Sequence, residues 1–314
     1  MKRLCLLAGL AALASAGCSA ASVNPPPPAA AHNVYVSNFA NSGSQIAIVG
    51  LPATVSSVPT IVAPAGLHAV TALAFDGSGN LWAVNDFSTA AVNGYSLPLS
   101  NASTPFATIN IPGAKNPVAL AFDSSGNLWV ADGGTNLVLK FTPPFSGSVT
   151  PAPAVVISSV TAPSGLAFDS AGNLYVSKGI LGLGAIEIFN PPFSTGQLPT
   201  AAPLTGSSQP GALVFDAAGN LYTLNTNGNI DRFTAPTAGG GPISVEQTGS
   251  NTLITNAGAL AFDSNGNLYA TNIQSPQLYL FSNAAATFSG NMPVPMLLTL
   301  TGFGVNGTGG VAIH

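Results

Sequence analysis

One rhythm of apolar and polar positions is written five times along the chain. Its clearest copy is Ala119-Leu-Ala-Phe-Asp-Ser-Ser-Gly-Asn-Leu-Trp-Val-Ala-Asp132, in which two short apolar runs flank a polar turn that carries a glycine. The other copies occupy residues 72–85, 165–178, 212–225 and 259–272. Marked by the Asp after Phe (Asp76, Asp123, Asp169, Asp216, Asp263), successive copies are 47, 46, 47 and 47 residues apart. The apolar runs are aromatic, β-branched and too short for helices, so each copy predicts a strand, a tight turn and a strand. In the turn, Asp bonds forward to backbone N–H groups and Gly takes positive φ. The five Asp residues therefore read as turn caps rather than as a ligand set.

A third apolar run follows most hairpins, at residues 138–141, 185–189, 230–233 and 278–281, and a less regular fourth precedes the next copy, as at 106–111 and 154–157. Four strands at a period of about 40–50 residues predict the blades of a β-propeller. The chain ends complete the count. Asn33-Val-Tyr-Val-Ser-Asn38 matches the second half of the motif and Gly310-Val-Ala-Ile-His314 the first half. Together they supply one more hairpin, split between the ends of residues 33–314. The expected fold is all-β: six four-stranded blades, closed by pairing the C-terminal strand with N-terminal ones, which removes exposed edges.

The motif Phe-Asp-x-x-Gly-Asn-Leu-(Trp/Tyr)-Val at this period resembles the NHL-type repeat of six-bladed propellers, and the wider superfamily that includes gluconolactonase-like hydrolases. The resemblance covers residues 33–314 and implies architecture; such folds host many activities.

Ahead of the repeats, Lys2 and Arg3 precede thirteen apolar residues, 4–16, too few for a comfortable membrane span. Residues 1–17 thus read as an export signal. Ala14-Ser15-Ala16-Gly17-Cys18 resembles a bacterial lipoprotein signal, which implies cleavage and acylation at Cys18; Ser15 stands where that pattern prefers Leu. The rival reading is ordinary cleavage after Ala16, giving a secreted protein. Cys18 is then the one mature cysteine, so no internal disulfide forms. Residues 18–32, with Pro25-Pro-Pro-Pro28, read as an extended spacer between an anchor and the propeller.

Only 5% of residues are charged, and without Lys2 and Arg3 the chain keeps four basic against ten acidic residues, a net charge of −6. That leaves no basic face for nucleic acid. Membrane contact is expected only through the lipid anchor, and the protein is expected to be a monomer.

Chemistry in a propeller gathers on the loops around the channel mouth. Three residues after the motif aromatic, the blades place Asn38, Asn85, Asp132, Lys178, Asn225 and Asn272. One reading makes these a polar binding ring, with Asp132 and Lys178 as a charged pair orienting a ligand. The other makes them strand ends that satisfy local backbone groups. His68, Lys115, Asn116, Gln209 and Asn256 fall on connections to the same face. The apolar loop 179–184, Phe39 and Phe87 suggest an apolar rim suited to a glycan, peptide or protein ligand.

Enzyme readings find little material. Outside the turns, the acidic residues are Asp86, Asp132, Glu187, Asp231 and Glu246, few for a calcium site among carboxylates. With His32 at the end of the spacer and His314 at the terminus, a zinc site or a Ser–His pair has only His68 to draw on. The sequence therefore points to a non-catalytic binding or scaffold module at the bacterial cell envelope, without cofactor. The alternative is a metal-dependent lactonase-like hydrolase or lyase using the polar ring, with calcium the candidate metal.

Overall fold

The structure, a computed structural model, describes residues 32–39, 44–86, 90–179, 184–234, 236, 243–245, 254–287, 294–303 and 307–314. Blade 2 holds the first complete motif in β4 (Val70–Phe75), β5 (Leu81–Asn85), β6 (Ala91–Tyr95) and β7 (Ala107–Asn110). Blade 3 follows with β8 (Pro117–Phe122), β9 (Leu128–Asp132), β10 (Leu137–Phe141) and β12 (Val155–Ile157). Blade 4 has β13 (Pro163–Phe168), β14 (Leu174–Lys178) and β15 (Ala185–Phe189). Blade 5 consists of β16 (Pro210–Phe215), β17 (Leu221–Asn225), β18 (Ile230–Phe233) and β19 (Ile243–Val245). Blade 6 consists of β20 (Ala257–Phe262), β21 (Leu268–Asn272), β22 (Ser275–Phe281) and β23 (Met296–Thr299), with a single helical turn, α1 (Ala284–Thr287), after β22.

Blade 1 is the composite one. Its inner strand is β24 (Thr308–Ile313), paired antiparallel with β1 (Asn33–Asn38), and β2 (Ile46–Gly50) and β3 (Thr60–Val62) lie outside them. The split hairpin thus closes a six-bladed propeller. Two blades depart from four strands. Blade 4 has three, its fourth place taken by an isolated bridge between Ile186 and Leu204. Blade 2 has five, because β11 (Gly147–Val149) leaves blade 3 and runs parallel to β7 on the outer edge.

The turn Asp residues are caps, and they also reach the core. Asp123 Oδ1 accepts the N–H groups of Ser125 and Asn127, each at 3.0 Å. Its Oδ2 accepts Trp129 Nε1–H at 2.9 Å and Asn127 Nδ2–H at 2.8 Å. Asp76 does the same for Trp82. In the other copies Tyr175, Tyr222 and Tyr269 donate their hydroxyls to Asp169, Asp216 and Asp263 at 3.2 Å. The motif accepts Trp or Tyr because both are large hydrophobes with one polar end to satisfy. Burial alone would raise the Asp76 and Asp123 carboxyls; the hydrogen bonds outweigh it, and both are lowered below 3.8.

The same aromatics join neighbouring blades. Tyr35 meets Phe75, Trp82 meets Phe122, Trp129 meets Phe168, Tyr175 meets Phe215 and Tyr222 meets Phe262, with ring centroids 4.9–5.8 Å apart. At the sixth joint Tyr269 packs in a cluster with Val311 and Ile313, so the seam is aromatic against aliphatic.

Because the folded-state pKa of Asp123 is depressed, its stabilisation is full above the unfolded value and fades as pH falls through the folded one. Asp123→Ala is expected to cost ~2 kcal/mol near neutral pH by stranding the Trp129 indole N–H and two turn amides. Denaturant unfolding at a series of pH values checks this. The difference between wild type and variant should shrink below pH 3.8; a constant gap would remove the charged cap from the account.

Candidate functional site

Each inner strand carries a β-bulge at the same height. The register of β4 against β5 slips between Val70 and Ala72, of β8 against β9 between Pro117 and Ala119, and of β13 against β14 between Pro163 and Gly165. The slips recur between Pro210 and Ala212, between Ala257 and Leu260, and opposite Val36 and Asn38 in blade 1. Thr71, Val118, Ser164, Gly211, Gly258 and Gly309 stand at these slips, and all line one cavity of about 320 Å³ at the channel mouth. Bulges re-aim side chains at the rims of closed sheets. Two of the hydroxyls so aimed also tie blades together: Thr71 donates to Pro117 O at 2.8 Å and Ser164 to Pro210 O at 3.0 Å.

Below the mouth lies a smaller space. Leu73, Leu120, Leu166, Leu213, Leu260 and Val311, one from each blade, line a space of only about 90 Å³, and each is 4–7% exposed. The mouth thus gives onto a narrower space beside apolar side chains.

The six strand-end residues expected as a polar ring do occupy equivalent places, but five of them are buried and turned into the protein. Asp132 is fully buried; its carboxylate accepts the N–H groups of Lys115, Asn116 and Gly134 at 2.8–3.1 Å and the Thr135 hydroxyl at 2.5 Å. Asn85 accepts His68 N–H at 3.1 Å and donates to Gly66 O at 3.0 Å. Asn225 accepts the Ser207 hydroxyl and donates to Asp231, both at 2.7 Å. Asn38 accepts Gln45 N–H, and Asn272 accepts Gln274 N–H. Lys178 is half-buried and pairs with Glu187 across blade 4, so its ionic partner is not Asp132. Physically, a strand end next to a loop is surrounded by unpaired backbone groups, and these short polar side chains take them up.

The mouth is lined one residue later. After the six strand ends come Phe39, Asp86, Gly133, Gly179, Thr226 and Ile273, of which Phe39, Thr226 and Ile273 border the mouth. Phe39 is 39% and Ile273 45% exposed, in adjacent blades 1 and 6. Asn116, exposed, completes the polar side with Thr71 and Ser164. The Asp86 carboxyl is raised, by burial first and by the negative charge of Asp132 second. His68 is exposed in the loop before β4. Phe87 and most of loop 179–184, expected in the rim, lie outside the described residues. Among the described residues, no three His, Cys, Asp or Glu side chains come together as a metal site.

No protein-family model and no curated protein matches the chain. Solved structures do. One chain of a nidogen–laminin complex superposes with a TM-score of 0.65 at 15% identity, over 90% of this chain and 98% of that one. A Bacteroides fragilis protein provisionally described as a 6-phosphogluconolactonase gives 0.62 at 18% identity, over 90% and 85%. A protein from Lactobacillus plantarum gives 0.58 at 14%, over 90% and 99%. Identities this low establish a shared propeller fold and leave the activity to the site itself.

Proposed function

We propose that this propeller is a non-catalytic binding module whose channel mouth takes an uncharged portion of a glycan, peptide or protein. The observation that carries the reading is the lining of the mouth. Its described residues include no charged side chain, and two large apolar groups, Phe39 and Ile273, stand exposed beside Thr71, Asn116 and Ser164. An apolar shelf facing a few hydrogen-bonding groups is the usual make-up of a small-ligand pocket. The alternative, a metal-dependent lactonase-like enzyme, gains no support from Asp132. Its two oxygens already accept four donors, and a hard cation would have to displace them.

The envelope location belongs to the same proposal. Acylation of Cys18 would tether the propeller through the proline-rich spacer, leaving the mouth as a receptor surface outside a membrane. The intact mass of the membrane-associated protein checks it: diacylglycerol on Cys18 is expected, with Cys18→Ser released to the soluble fraction. An unmodified Cys18 removes the anchor and leaves the binding module.

For the mouth, Phe39→Ala with Ile273→Ala is expected to fold as wild type, since both side chains are partly exposed. Affinity for the envelope glycan or peptide retained from an immobilised panel should fall about tenfold or more, equivalent to about 1.4 kcal/mol. Unchanged affinity in the double variant would move the site off the mouth.

A further inference from the structure

A second cavity lies away from the channel, in the crevice between blades 2 and 3. It measures about 330 Å³. Leu137, Leu139 and Phe141 of β10 and Val156 of β12 form one wall, and Ile111 to Ala114, the connection between β7 and β8, form the other. Pro151 and Pro153, on the segment returning from β11 to β12, border it from outside, and Thr135 and Asp132 from the inner end.

The equivalent position in other blades shows what is unusual. In the middle of each third strand, facing the preceding blade, the five continuous repeats place Asn93, Leu139, Glu187, Asp231 and Tyr279. Blade 1, assembled from two chain segments, has Ala47 there. Four of the five are polar and spend that polarity close by. Asn93 donates to Gly66 O at 2.8 Å, and Tyr95 hydroxyl donates to Ala65 O at 2.8 Å, which ties the loop ahead of β4 against blade 2. Glu187 takes Lys178, Asp231 takes Asn225, and Tyr279 donates to Gln277. In blade 3 the same two places are Leu139 and Phe141, which have no polar atoms with which to draw in the loop at 111–114. A crevice stays open there, and its walls are hydrocarbon. The charge at its inner end is spoken for, since Asp132 is fully buried and accepts four hydrogen bonds from the protein.

We infer that this crevice is a second binding site, separate from the mouth, for a small uncharged molecule with an apolar alkyl or aryl body. Its volume lies at the lower end of small-ligand pockets, about 300 Å³ upward. Apolar cavities of about half that size stay dry and take up benzene. A charged ligand has no counter-charge to meet. A sugar has no unoccupied hydrogen-bonding group along the Leu137–Leu139–Phe141 wall.

Titration calorimetry with n-butylbenzene on the full chain is the test. Wild type should bind it saturably, and the Phe39→Ala Ile273→Ala protein should bind it equally well, which separates this site from the mouth whatever the fate of that proposal. Filling the crevice by Ala114→Leu or by Val156→Phe should weaken binding at least tenfold without lowering the melting temperature. Leu139→Asn, which restores the residue type of blade 2, should weaken it similarly. If one filled variant fails to fold, the other and Leu139→Asn decide. The inference is overturned if wild type shows no saturable heat, if filled and wild-type proteins bind alike, or if binding disappears with Phe39 and Ile273.

Discussion

Crowding at the axis is the constraint on which the rest of this molecule depends. Six inner strands must lie side by side around a space of about 90 Å³. Next to each residue lining it the chain therefore places something small: Ala72, Ala119, Gly165, Ala212, Ala259 and Gly310. A Cβ on Gly165 would overlap the carbonyl of Gly211 in the next blade, and one on Gly309 the carbonyl of Val70. With the backbones this close, the five leucines and the valine also pack into the cores between neighbouring blades. The bulges sit above them, where Thr71 and Ser164 donate to the carbonyls of Pro117 and Pro210 in the next blade.

The scarcity of charge takes on a different meaning in the folded protein. Most of the few carboxylates are not spread over the surface as solubilising groups. Five cap turns and hold an aromatic by its polar end, Asp132 holds a loop, and Glu187 and Asp231 are buried partners of Lys178 and Asn225. Each is hydrogen-bonded where it is buried, which is the condition under which a buried charge is tolerable. The solvent face is left to Ser, Thr, Asn, Gly and Pro, and isolated apolar residues such as Val58 and Leu198 stand exposed among them.

The architecture was legible because its signals are local and repeated. Asp and Gly fix each turn, alternation fixes each face, and the 46–47-residue spacing fixes how many blades there are. The strand β11 was not legible: Gly147, Ser148 and Val149 are all exposed, so no alternation marks them, and backbone pairing alone defines the strand. In blade 4 the fourth place is held by Leu204, which bridges to Ile186, and by Ala201, which packs against the same cluster. At the mouth the six strand-end residues hold equivalent places, and five of them are buried. Alternation assigns faces along a strand, but at its last position the neighbouring loop decides where a side chain turns, and that loop drew Asn85 and Asp132 inward. Directly after two of these polar strand ends stand the exposed apolar residues Phe39 and Ile273.

The exchange of β11 makes the joints of the ring mechanically unequal. Between blades 2 and 3 a strand from one sheet is sewn to the rim of the other, and Asn110 fastens it further through Ser148 and Val149. Separating these two blades means unpicking a backbone ladder as well as parting side chains. Blade 1 resists differently, since its inner strand and its neighbours come from opposite ends of the propeller sequence. The joint between blades 3 and 4 is tied by scattered bonds instead: Gly196 N–H donates to Val156 O at 2.8 Å and the Ser159 hydroxyl to Gln197 O at 2.9 Å. Blades 2 and 3 are thereby coupled through the chain itself, and blades 3 and 4 through individual bonds.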